Sequence, residues 1–269
     1  MVNELTLDEL KAIEFDILKH FDEFCKEHNI RYYLSNGTLL GAIKYKKFIP
    51  WDDDIDVFIP REDYNRFLNI YVDSKQYKLF AFEKDGEFHY PFAKLCDLST
   101  RKVMPDFRSS NAIPGLEMDI FPLDCWHLDY EMAQKEVQSI SKDIIFLQAS
   151  QFKKSPTKKG VKSFVWKLVS IYARIRTNKY FNKKIIKKSM ANKQNNPSYV
   201  GCKSWCIYGE KEIIPAEVFS DVVYVEFEGA MFPAPIGYDT YLRSLYGDYW
   251  SDPPKEKQKT HHSFKAYRI

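Results

Sequence analysis

A chain of 269 residues, 45% apolar and 16% aromatic, is long enough to bury the core of one large domain or one and a half without disulfides or metal staples. Five scattered cysteines (Cys25, Cys96, Cys125, Cys202 and Cys206) argue against a secreted disulfide framework, and the sequence has neither a signal-peptide layout nor a run of about 18 uncharged apolar residues; a cytoplasmic protein is expected. The net charge of +3 hides an asymmetry, because residues 144–209 hold 15 of the 40 Lys and Arg and none of the 37 Asp and Glu, leaving 25 basic against 37 acidic residues elsewhere.

Thr6-Leu7-Asp8-Glu9 forms a capping box, and Leu10, Ile13, Ile17, Phe21 and Phe24 predict a scaffold helix through about His28. Arg31 to Leu34 reads as a short strand. Ser35 and the Asn36-Gly37-Thr38 turn follow, and Leu39, Leu40 and Ile43 at helical spacing predict a helix beginning near Thr38. A Gly-Thr turn opening a helix presents backbone N–H groups and a positive dipole end, which suits a phosphate. The next segment has four aspartates in five positions, Asp52 to Asp54 and Asp56, running into Val57, Phe58 and Ile59 between Pro50 and Pro60. Read as a strand with Ile55, it places Asp52, Asp54 and Asp56 on one face and Asp53 on the other. Crowded carboxylates repel unless a cation sits among them, and hard oxygen ligands fit Mg²⁺, with Mn²⁺ as the alternative.

Pro60 and Arg61 open a predicted helix bearing Tyr64, Phe67 and Leu68. Strands are expected near 77–83, 90–97 and 117–121, and in the last Glu117 and Asp119 share a face. Asp129 starts a helix running towards Gln148. In the basic stretch, Val161, Val165, Leu168, Tyr172 and Ile175, with Phe164 and Ile171 beside them, predict a helix with an apolar face. A second helix carries Tyr180, Phe181, Ile185 and Ile186 with Lys183, Lys184, Lys187 and Lys188. Such a region suits an anionic membrane or a solvated helix face. No zinc-finger, RNA-recognition or basic-zipper signature is present, so nucleic acid is not an expected partner. Pro197 to Gly201 reads as a loop and 222–228 as a strand. Cys202 and Cys206 form a CxxxC pair, read as buried thiols in preference to a zinc site completed by His261 and His262.

The segment SNGTLLGAIKYKKFIPWDDDIDVFIPREDY ending at Tyr64, with PFAKLCDLST at 91–100, GLEMDIFPLD at 115–124 and YLRSLYGDYWSDPP at 241–254, resembles the LicD family. That family is a branch of the nucleotidyltransferase superfamily that includes bacterial phosphocholine transferases and the fukutin-related proteins. The resemblance implies an α/β (α+β) fold, with a nucleotidyltransferase-like mixed sheet core flanked by helices, a basic helical insertion and C-terminal elements. The expected division is a catalytic core over 1–128, a basic helical subdomain over 129–209, and a C-terminal strand and helix over 210–269 completing the substrate pocket.

The resemblance also implies roles. Asp54 and Asp56 match the superfamily's metal-binding aspartates, Asp52 completes D-x-D-x-D, and Asp119 is the expected third carboxylate. Ser35, Asn36, Gly37 and Thr38 would face the donor's diphosphate, and Lys94 would bind a donor phosphate as a point charge. The implied reaction moves phosphocholine from CDP-choline to a sugar hydroxyl of a lipid-linked glycan of teichoic acid or lipopolysaccharide type, releasing CMP, with Asp119 orienting or deprotonating that hydroxyl directly or as a metal ligand. Transfer from another CDP-alcohol such as CDP-ribitol, nucleotidyl transfer, and non-catalytic glycan or membrane binding are the alternatives. Tyr246, Tyr249 and Trp250 are candidates for a choline cage, although at helical spacing they read first as core. Residues 153–188 are the expected contact with the membrane's inner face.

Overall fold

The computed structural model describes residues 4–109, 113–153, 161–260 and 264–269, without the side chains of Val161, Lys162 and Phe164. His261 and His262 lie outside the described residues. In chain order the helices are α1 (Leu7–Glu27), α2 (Asn36–Tyr45), α3 (Arg61–Ile70), α4 (Phe82–Asp85), α5 (Tyr130–Gln151), α6 (Val161–Arg176), α7 (Asn178–Ser189) and α8 (Tyr238–Tyr246). The strands are β1 (Tyr33–Leu34), β2 (Asp56–Pro60), β3 (Tyr77–Phe80), β4 (Ala93–Asp97), β5 (Thr100–Val103), β6 (Leu116–Cys125), β7 (Tyr199–Gly201), β8 (Ile214–Pro215), β9 (Val222–Phe227), β10 (Ala230–Pro235) and β11 (Lys265–Arg268).

The main sheet runs β1-β2-β6-β4-β3, with β7 on the far end of β6 and β8 on β7. Among the described strands β2 and β6 pair in parallel and the other neighbours antiparallel, so the sheet is mixed and the fold is of the α+β class. The Thr6 capping box is formed on both sides: Thr6 Oγ1 accepts from the Glu9 N–H at 3.3 Å, and Glu9 Oε2 accepts from the Thr6 N–H at 2.8 Å. Behind that cap α1 buries Ile13, Ile17, Leu18 and Phe21 against β4 and β6. Its neighbours in the main core include Leu34, Val57, Ile59, Leu95, Met118 and Ile120, contributed by four strands. The β9–β10 hairpin turns at Glu228 and Gly229, both at positive φ as a type I′ turn needs, and sends Phe227 and Phe232 against Phe15.

A second core gathers Trp126 with Ile140, Ile144 and Leu147 of α5, Ala173 of α6, and Phe181 and Ile185 of α7. Asp129 caps α5 by accepting from the Met132 N–H at 2.9 Å. The lysines of α7 divide between two environments. Lys184 and Lys188 pair with the buried Asp143 of α5, at 2.8 and 2.5 Å, while Lys183 and Lys187 are exposed.

The apolar face expected on α6 is present and turned to solvent, the buried thiols are as expected, and the bounds of several elements are corrected. Val165, Leu168, Ile171, Tyr172 and Ile175 of α6 point outward, and the helix packs through Trp166, Val169, Ser170 and Ala173. The small Ser170 and Ala173 let α6 approach its neighbours closely, which the larger side chains would prevent. The loop expected at 197–201 contains β7, and the strand near 77–83 ends at Phe80, after which Phe82 starts α4. The aspartate strand is shorter than read: β2 begins at Asp56, and Asp52 lies in a turn, its N–H donating to Ile49 O at 3.0 Å. Cys202 and Cys206 are buried thiols.

Candidate active site

The peptide of Asp56 is fixed from both sides by the start of α2, its N-cap Ser35 and Thr38 of its first turn. Its N–H donates to Thr38 Oγ1 at 2.8 Å, and its carbonyl accepts from the Ser35 N–H at 3.0 Å. The Gly-Thr turn and the aspartate strand are therefore one construction, with the Thr38 hydroxyl holding the strand in place. Across the sheet, Asp56 stands opposite Asp119 in the parallel β2–β6 pair, and Asp119 stands opposite Lys94 in the antiparallel β6–β4 pair. Side chains at paired positions share a face, so Asp56, Asp119 and Lys94 form one row across three strands. Glu117, two residues before Asp119, lies on that face as well.

Lys94 is buried and links the acids, with its Nζ 2.5 Å from Asp119 Oδ1 and 3.3 Å from Glu117 Oε1. Lys102 Nζ reaches the same Glu117 oxygen at 2.7 Å. Burial pushes Glu117 up, but Lys102 and Lys94 outweigh it and hold the carboxyl below its usual range. Burial would likewise lower Lys94; Asp119 and Glu117 reverse this and keep its ammonium above the ordinary lysine value. Asp119 is raised by burial against the pull of Lys94. Asp56 is raised furthest: burial leads, and the charges of Asp54, Asp119 and Asp52 add to it, with Lys94 opposing.

Asp52, Asp53 and Asp54 offer carboxylate oxygens that all lie within 4.8 Å of one another. Asp53 thus joins the cluster, and it is the buried member. The strand reading put it on the opposite face, but alternation applies only where a strand is formed, and residues 52–55 precede β2. Asp52 lies against the first turn of α2, where a Cβ added to Gly37 would come 2.5 Å from Asp52 Oδ2. Glycine at 37 is what lets this carboxylate approach the positive end of the helix.

The other expected donor-binding residues are placed as follows. Asn36 is tied to α8, its N–H donating to the Tyr241 hydroxyl at 3.3 Å and its Oδ1 accepting from that hydroxyl at 2.9 Å. Ser35 caps α2 without a side-chain bond, and its buried Oγ has no hydrogen-bond partner among the described residues. The crowded carboxylate oxygens of Asp52, Asp53 and Asp54 are the donor chemistry a divalent cation takes; Asp56 and Asp119 lie outside that close group, and Asp56 is pushed up by burial first and then by its acidic neighbours.

Two features were missed from the sequence. Glu14 of α1 is buried with Oε2 unpartnered among the described residues, and burial followed by the charge of Asp54 raises its carboxyl well above the usual range. Its signal was available, since Glu14 sits four residues from Leu10 and Leu18 on the apolar side of the helix. Tyr208 is the second. Its hydroxyl lies 3.2 Å from that of Tyr246, and burial, with the charge of Asp56 adding to it, raises both phenols, Tyr208 to about 12. Of the three C-terminal aromatics, Tyr246 is thus the one joined to a partner near the carboxylates. Tyr249 is buried and donates to Asp239 at 2.6 Å, and Trp250 is half exposed. Nothing in the sequence distinguishes Tyr208 among 18 tyrosines.

Residues 29–155 match the family model described as LicD/FKTN/FKRP, nucleotidyltransferase domain. The chain is 32% identical over 279 aligned positions to the lipopolysaccharide cholinephosphotransferase LicD of Haemophilus influenzae, an alignment covering 99% of each chain. It also matches an uncharacterized protein of Rickettsia typhi, 37% identical over 76 residues that make up 28% of this chain and 25% of that protein. Among the described residues no helix is long and apolar enough to cross a membrane. With its aspartate loop, its Asp56–Asp119–Lys94 row and a full-length relative of this kind, the chain belongs to the LicD family.

Proposed function

We propose that the protein is a phosphotransferase that moves phosphocholine from CDP-choline to a sugar hydroxyl of a lipid-linked surface glycan of lipopolysaccharide or teichoic acid type, releasing CMP in the cytoplasm. The observation that carries this reading is the likeness, over 99% of both chains, to a lipopolysaccharide cholinephosphotransferase. It is supported by an acidic site whose parts lie on the segments that align with the family. Mg²⁺, or Mn²⁺, held by Asp54 and Asp56 with Asp52 and Asp119 as further oxygen donors, would neutralise charge developing on the transferred phosphoryl group.

The chain's own groups divide the remaining work. Asp119 is the carboxylate suited to orient the acceptor hydroxyl or to take its proton, because Lys94 holds it in place at 2.5 Å. Lys94 is buried behind that contact, which favours a positioning role over the direct phosphate contact expected from the resemblance. The donor's diphosphate would meet the start of α2, where Ser35 Oγ is buried without a hydrogen-bond partner among the described residues and the Asn36 N–H is given to Tyr241. Tyr208 and Tyr246, packed edge to face, are the aromatic pair proposed to meet a quaternary ammonium group.

The test is CMP release from CDP-choline with Mg²⁺ and an isolated lipid-linked glycan, with CDP-ribitol and CTP alongside. Turnover of CDP-choline alone, dependent on metal and acceptor, is the expected result. CMP from CDP-ribitol alone would replace the donor, pyrophosphate from CTP would replace the reaction class, and silence with every donor would favour a binding protein.

A further inference from the structure

The outward face of α6 has no role in the site, and among the described residues its apolar side chains stay exposed. Val165, Leu168, Ile171, Tyr172 and Ile175 recur at three- and four-residue steps with exposures from 44% at Tyr172 to 75% at Ile175. Tyr172, the aromatic member of the stripe, packs edge-on against Phe146 of α5. Exposed Lys167 and Arg174 border the stripe on one side. On the other, the Arg176 guanidinium lies 5.9 Å from the Tyr172 ring and 5.5 Å from the Tyr180 ring of α7. Tyr180 shares its helix face with the exposed Lys183 and Lys187, at steps of three and four. Apolar stripe and basic face are thus joined through Arg176.

We propose that this surface docks on an anionic lipid bilayer, with the α6 stripe lying in the interface and Lys167, Arg174, Arg176, Lys183 and Lys187 at the level of the headgroups. Charge complementarity selects this occupant: no Asp or Glu occurs between 144 and 209, and the buried Asp143 at the border is already paired with Lys184 and Lys188. An apolar helix stripe bordered by cations is the arrangement of interfacial amphipathic helices, and each cation near an anionic surface adds to the attraction. A second copy docked face to face on this surface would set these like charges against each other without acids to answer them. The proposal deepens the transferase reading by naming the surface that meets the membrane, but vesicle binding requires neither donor nor acceptor.

The experiment is co-sedimentation of the full-length protein with phosphatidylglycerol vesicles and with phosphatidylcholine vesicles, at low and high salt. Wild type should bind the anionic vesicles, and both high salt and neutral lipid should weaken binding. The triple variant Leu168→Ser, Ile171→Ser, Ile175→Ser should lose at least about tenfold in affinity. The pair Lys183→Glu, Lys187→Glu should lose affinity and flatten the salt dependence. All of these side chains are exposed, so the melting temperature should hold, and CMP release with a water-soluble glycan acceptor should be unchanged. No binding by wild type, or equal binding by the triple variant, overturns the proposal. So does a wild-type dimer that the triple variant converts to monomer in the absence of vesicle binding. Vesicle binding without any transfer would remove the transferase reading and leave the docking surface standing.

Discussion

Asp56 is surrounded by like charge at close range. Burial and three acidic neighbours raise it, and Lys94 opposes them. A carboxyl whose folded pKa lies above its unfolded value contributes stability that is complete below the unfolded value and is lost as pH rises through the folded one. At neutral pH the metal-free protein therefore carries a destabilising group at its functional centre. Asp56→Asn should hold or raise the melting temperature in the presence of a chelator while lowering CMP release by about a thousandfold or more; a clear loss of stability with retained turnover would refute this account. Gly37 permits a similar separation of effects. Its backbone is helical, so Ala there is favourable by propensity, yet the new Cβ would meet Asp52 at 2.5 Å. Gly37→Ala should change stability by less than about 1 kcal/mol and cost roughly 10- to 100-fold in turnover through a displaced carboxylate. Unchanged kinetics would remove Asp52 from the site. At this scale the sequence was legible where composition was unusual, as at Asp52 to Asp56. It was silent where one tyrosine or one glutamate matters only through what folds against it.

Register decides what the elements can do. Because β2, β6 and β4 pair with Asp56, Asp119 and Lys94 in line, one lysine satisfies acids from β6 while facing the aspartate of β2. Removing a partner from a buried charged group leaves the others uncompensated, typically at about 3–5 kcal/mol. Lys94→Met should approach that loss in urea unfolding, moderated by Lys102, which still reaches Glu117. The accompanying change Asp119→Asn should recover part of it. A loss under about 1 kcal/mol would show that the acids do not depend on Lys94. Period-two and period-3.6 patterns located α1, α3, α5, β4, β6 and β9 within a few residues, because each buries one face against the sheet or the second core. Periodicity also found the apolar side of α6, but it cannot tell which side faces the protein. The contact went to the face of Trp166, Val169, Ser170 and Ala173, which carries fewer large apolar side chains than the outward one. β7 escaped because three residues ending in a glycine show no alternation; it is a strand only because β6 and β8 lie beside it.

The molecule as a whole joins two cores of opposite electrical character, and several charges lie where they meet. Lys203 is fully buried between Glu136 of α5, at 3.0 Å, and the Cys125 carbonyl at the end of β6, also at 3.0 Å. Glu212 is buried nearby, and its backbone carbonyl accepts from the Trp126 indole N–H at 2.8 Å. Among the described residues its carboxyl has no such lysine. Burial lifts it from 4.5 to about 8, moderated by the backbone N–H groups of Tyr208 and Cys202, and its Oε2 is unpartnered among the described residues. In the folded protein it is therefore mostly neutral at pH 7, whereas the unfolded chain ionises it. The sign follows from linkage: its contribution is complete below pH 4.5, declines as pH rises from 4.5 to about 8, and is constant above. The total decline is of the order of a few kcal/mol. Glu212→Gln keeps the shape and an acceptor oxygen but cannot ionise, so urea unfolding followed from about pH 5 to about pH 9 should give a flatter stability profile than wild type. The two proteins should differ most on the alkaline side, with the variant the more stable. Parallel profiles would mean that Glu212 reaches solvent before the cores separate, and that the junction opens without global unfolding.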